Sequence, residues 1–72
     1  MSETVDPWEK AAECSEAIEV THDAKRHEML IHMRDLWINL ANERHLLSAP
    51  ELAEQTAGLA QIHAWLLPPT PN

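Results

Sequence analysis

Apolar positions recur along this chain with the period of an α-helix, in three stretches that each open on a start signal. Asp6-Pro7-Trp8-Glu9 has the form of a capping box with proline in the first helical position, which predicts a helix over about 7–21. At about 100° per residue, Trp8, Ala11, Cys14, Ile18 and Thr21 share one face of it. Glu9, Glu13 and Glu16 project from the opposite side, and Glu19 lies toward its edge. Thr21-His22-Asp23 interrupts the pattern, and Asp23 is placed to cap a second helix over about 24–46. Ser48-Ala49-Pro50-Glu51 is a second capping box, opening a third helix over about 49–67 that Pro68-Pro69 stops. Residues 1–5 and the proline-rich residues 68–72 read as tails around a single domain, residues 6–67.

The second and third helices carry more apolar surface than one stripe each. Met29, Met33, Leu36, Leu40 and Leu47 form the main stripe of the second, widened by Leu30, Trp37 and Ala41. Ile31 and Ile38, seven apart, lie on a different face. In the third, Leu52, Thr56, Leu59, His63 and Leu66 form the main stripe, and Gly58, Ile62 and Trp65 a smaller one. The expected core is Ile18, Met29, Met33, Leu36, Trp37, Leu40, Leu52, Leu59 and Leu66. Ile31, Ile38, Ile62 and Trp65 are left as surplus, and are expected to meet another copy of the chain. Gly58 costs about 1 kcal/mol relative to alanine in mid-helix, which the close approach of another helix would explain. The fold expected is all-α: a helix–break–helix hairpin plus a third helix, a short bundle completed by homodimerisation or a higher homo-oligomer.

Size points the same way. The chain has 72 residues, and one this short buries only about 60% of its unfolded surface. Its single cysteine, Cys14, makes no intrachain disulfide and offers no cysteine pair for a zinc module, so association is the remaining support. One glycine and no Phe or Tyr argue against a β-sandwich or barrel, and 44% hydrophobic residues argue against a disordered acidic tail. The net charge is −7 and unevenly placed: residues 1–20 hold six carboxylates against Lys10, whereas residues 21–47 balance four acids with four bases. No basic patch is present to neutralise phosphates, so no direct nucleic-acid binding is expected. No apolar run approaches the ~20 residues of a membrane span. A lone cysteine and an acidic N-terminus without the features of a secretory signal place the chain in the cytoplasm as an expectation.

Histidine is the main candidate chemistry. His22, His27 and His32 recur every five residues, about 140° apart on a helix, and cannot converge on one ion. Glu28, His32 and Asp35 do share one polar strip, which a two-fold axis would double into a mixed nitrogen and oxygen metal site. The plainer reading is a set of solvated helix pairs. His63 interrupts an apolar stripe, as a buried neutral imidazole bonded to a carbonyl or an acid, or as a pH-sensitive interface residue. His45 suits the C-terminal end of its helix. Cys14 reads as a small buried thiol whose neighbours Glu13 and Glu16 do not activate it. Trp8, Trp37 and Trp65, one per helix, read as core or interface anchors. With no triad, no glycine-rich phosphate loop and little room for an enclosed pocket, no enzyme activity and no cofactor are expected.

Lys10-Ala11-Ala12-Glu13-Cys14, then Thr21 and Asp23, then Met29-Leu30, Met33, Trp37 and Leu40-Ala41 resemble a group of small uncharacterised helical proteins of alphaproteobacteria. That group has an A-x-E-C start, a T-x-D break and a late W-x-x-L-A. The resemblance covers about half the chain, implies a helix–break–helix unit and attaches no activity to it. Together these readings lead to a non-enzymatic module that self-associates. Two alternatives stand beside it: a metal-binding or metal-sensing bundle using Glu28, His32 and Asp35, and an acidic regulator engaging a basic protein partner through Glu9, Glu13 and Glu16.

Overall fold

Local start signals and apolar stripes together set three helices, and the computed structural model describes residues 5–67. They are α1 (Pro7–Val20), α2 (Ala24–Glu43) and α3 (Ala49–Leu66), with a short 3-10 turn, Arg44–Leu46, prolonging α2; no strand occurs among the described residues. The Asp6 carboxylate accepts the Trp8 backbone N–H at 3.0 Å, and Pro7 supplies a first residue that needs no partner for its nitrogen. At the other end of α1 the Thr21 hydroxyl donates to the Ala17 carbonyl at 2.6 Å as the backbone turns extended. Asp23 stands at the N-cap of α2 without a side-chain bond. The third start is reciprocal: Ser48 Oγ accepts the Glu51 N–H at 3.3 Å, and Glu51 Oε1 accepts the Ser48 N–H at 3.0 Å. Those bonds, the Ser48 backbone foremost, hold the Glu51 carboxyl below its ordinary value.

Packing is uneven. α1 lies closely along α2, and α3 rests on α2 more loosely. The molecule measures 38 × 27 × 16 Å between its Cα atoms, so it is only two helices deep and no helix is surrounded. Trp37, Leu30, Met33 and Cys14 are fully enclosed at its centre, joined by Ala11, Leu40, Ala41 and Leu66. Ile18, Leu52 and Leu59 are half-buried against this cluster.

Several sequence expectations shift here. Met29, placed in the core, is 40% exposed, and Leu36 is only half-buried and outside the central cluster. The buried line of α2 runs through Leu30, Met33, Trp37, Leu40 and Ala41, because close packing on α1 turns the helix toward that side. Ile38, expected at an interface, packs against the core of its own chain, and Ile31 is half-buried. Val5, counted with the N-terminal tail, packs on the core too. The rest of both tails and the Pro68-Pro69 stop lie outside the described residues. α2 ends at Glu43 as an α-helix, with the 3-10 turn covering the remainder of the expected range.

Gly58 is not explained by packing within the chain, since a Cβ added there would meet nothing within 4 Å. Replacing it with alanine therefore removes backbone entropy from the unfolded chain at no steric cost. Gly58→Ala is expected to stabilise the fold by about 0.5–1 kcal/mol, seen in thermal melts as a rise of a few degrees.

Candidate functional site

The most structured polar site is a cluster in which all three helices meet. His63 on α3 is 4% exposed and both of its ring nitrogens are engaged. The Trp37 indole Nε1–H donates to Nδ1 at 3.1 Å, and Nε2 lies 2.9 Å from Glu13 Oε1. An indole only donates, so Nδ1 must present its lone pair, and the single proton of the neutral ring sits on Nε2 and donates to Glu13. The Trp37 and His63 rings meet edge to face, centroids 5.8 Å apart and planes at 78°. At the last residue of α3, one turn beyond His63, the Arg26 guanidinium donates to the Leu66 carbonyl, tying the start of α2 to the same region.

Cys14 Sγ lies 3.7 Å from His63 Nδ1, so Cys14, His63 and Glu13 have the outline of a nucleophile, a base and an orienting acid. Its chemistry is closed in this arrangement. The Nδ1 lone pair is taken by Trp37, and the thiol has no exposed surface. Burial, followed by the nearby Glu13 charge, pushes the thiol up to about 11, against smaller opposing effects of Arg34 and Lys10. A thiol so held is neither an activated nucleophile nor a ready metal ligand. Arg34 itself reaches outward to Asp35 at 3.5 Å and leaves its buried Nε without a partner.

His63 matches the expectation of a buried imidazole bonded to an acid, but the acid is one that the periodicity placed on the outer face. Glu13 is half-exposed, bonded to His63 and 3.7 Å from Lys10 Nζ through the same oxygen. Glu13 is thus engaged by His63 and Lys10 while still half open to solvent, and Glu9, Glu16 and Glu19 are exposed beside it. The metal strip does not assemble within the chain: Glu28 and His32 are exposed, Asp35 pairs with Arg34, and among the described residues no three His, Cys, Asp or Glu side chains are close enough to hold an ion. Of the tryptophans only Trp37 is buried; Trp8 is half-exposed and Trp65 is 74% exposed.

A second feature is an apolar seam where α3 rests loosely on α2. At one end Met29, Met33, Leu36, Ile62 and Leu66 line an open groove of about 380 Å³. Leu36 also belongs to the adjoining groove of about 340 Å³, lined by Leu40, Leu47, Leu59 and Gly58. The ionisable groups lining this seam are Glu28, His32 and Glu43. Of the four expected interface residues, only Ile62 lines it. Ile31 and Ile38 lie on the opposite flank of α2, about 160° around the helix from Met29 and Leu36. Among the described residues no helix is long and apolar enough to cross a membrane. No family model, curated protein or solved structure matches the chain.

The thiol supplies a direct check on this geometry. Because the native state holds Cys14 above the ordinary value of 9.0, its contribution to stability is present below pH 9 and is lost as pH rises through about 11. Chemical unfolding at rising pH should show that decline, and Cys14→Ala should remove it. A thiol-specific reagent at neutral pH should label Cys14 only after denaturation.

Proposed function

We propose that this chain is a non-enzymatic helical module that pairs with a second copy of itself through the α2–α3 seam. The observation that carries this reading is the apolar row of exposed Met29 and Ile62 and half-buried Leu36 over a floor of Met33 and Leu66. Trp65, one turn from Ile62, extends the exposed apolar surface at that end. A core this thin gains most from burying such a row, and an isologous pair buries it twice.

Charge favours a second copy at this place. Two chains of net charge −7 repel most strongly where the outward carboxylates of α1, Glu9, Glu16 and Glu19, would meet. The seam has carboxylates only at Glu28 and Glu43, besides the imidazole of His32, so fewer like charges meet there than along α1. The proposed setting is the cytoplasm, where a free, buried cysteine stays reduced.

Light scattering with concentration series tests the pairing. The wild-type chain is expected to be dimeric at roughly tens of micromolar, and Ile62→Glu or Met29→Glu to weaken it at least about tenfold, equivalent to about 1.4 kcal/mol. Ile31→Glu, on the opposite flank, is expected to leave the affinity unchanged. A wild-type monomer at high micromolar concentration would overturn the proposal, as would a dimer indifferent to both seam substitutions.

A further inference from the structure

We infer that His63 is a proton-operated latch, holding the C-terminal half of α3 onto α1 and α2 while its imidazole is neutral. Only the neutral ring with its proton on Nε2 satisfies both neighbours, the Trp37 donor on one side and the Glu13 acceptor on the other. A second proton lands on Nδ1. It turns an acceptor into a donor facing the Trp37 N–H across 3.1 Å, in a site with almost no solvent access. The sulfur of Cys14, at 3.7 Å, is the other polar atom beside Nδ1 and a weak acceptor. The ring then has to move, and α3 moves with it.

Charged and titratable groups face His63 from both of the helices it packs against. From α1, Glu13 faces Nε2, and its interaction with an imidazolium is blunted because the carboxylate is half-exposed and the same oxygen already lies near Lys10. Cys14, also on α1, is a neutral thiol. From α2 come the uncharged Trp37, the cation Arg34, whose field reaches the Cys14 sulfur, and Arg26, bonded to the Leu66 carbonyl one turn along α3. The Glu13 side of the ring is open to solvent and shared with Lys10, whereas the Trp37 side is enclosed, so a second donor there meets the indole N–H with no water beside it. None of the bonded groups His63, Trp37, Glu13 and Cys14 lines the seam, although the segment they hold carries Leu59, Ile62 and Leu66 of it.

The test is hydrogen exchange by NMR on the full chain, as protection factors at about pH 8 and about pH 5.5, a window above the ordinary carboxylate range. His63→Gln is the comparison: its amide oxygen accepts from Trp37, its NH2 donates to Glu13, and it does not titrate. The exposed Trp8 and Trp65 indole signals are identified from Trp8→Phe and Trp65→Phe, leaving that of Trp37. The wild-type chain is expected to lose at least about tenfold protection at the Trp37 indole and at the amides of residues 59–66 on acidification, while His63→Gln holds both. Equal protection of the wild-type chain at both pH values, or an equal loss in His63→Gln, would overturn the latch. Should His63→Gln fail to fold, the imidazole nitrogen shifts of the wild-type chain at about pH 8 decide, and a ring protonated on Nδ1 sinks the inference.

Discussion

A buried imidazole needs one partner that donates and one that accepts, and the bundle is arranged around meeting that requirement. Glu13 comes from α1, Trp37 from α2 and His63 from α3, so a single ring fixes the mutual register of all three helices. Apolar packing alone tolerates sliding by a fraction of a turn, since one leucine contact replaces another. Two hydrogen bonds of opposite sense do not, because a displaced ring leaves a buried N–H or lone pair unmet, at about 1–3 kcal/mol each. Cys14 fits beside this ring as filler, with its proton retained by burial.

The helices were legible because their signals are local. Asp6, Pro7, Ser48 and Glu51 act within a few residues of themselves, and the reciprocal bonds of Ser48 and Glu51 form as the pattern implies. The break at 21–23 follows from the interrupted stripe in the same way. The tertiary detail was less legible. Periodicity shows that α2 is apolar over a wide arc, but the centre of that arc depends on how closely α1 and α3 each pack. Periodicity therefore centres the core on Met29 and Leu36 with Leu30 at its margin, whereas the packed helix encloses Leu30 and leaves Met29 exposed. Glu13 was hidden for a different reason: its partner is 50 residues away, and nothing in α1 distinguishes it from Glu9 or Glu16. An interrupting histidine in the stripe of α3 was the available clue, and it asked for an acid without naming one.

The two sides of α2 have different characters. Toward α1 the contact is close, includes the enclosed ring of Trp37, and absorbs Ile38 into the chain's own core. Toward α3 it is open, and the apolar ends of Met29 and Ile62 face water beside half-buried Leu36 in a molecule 16 Å thick. Gly58 belongs to this open side, with no neighbour to demand its missing Cβ. The proposed pairing gives the open side a partner, and leaves the carboxylates of α1 to solvent.

The connection before α3 has a mechanical consequence. Leu47 and Ser48 are both extended, and the reciprocal cap makes the first turn of α3 complete in itself. These two features set α3 off from the hairpin as a separate arm. His63 stands about 22 Å along that arm, so a swing of about 10° carries the imidazole about 4 Å, beyond the reach of a hydrogen bond. The bonds to Trp37 and Glu13 act at the far end of the lever, where a small force resists the largest torque.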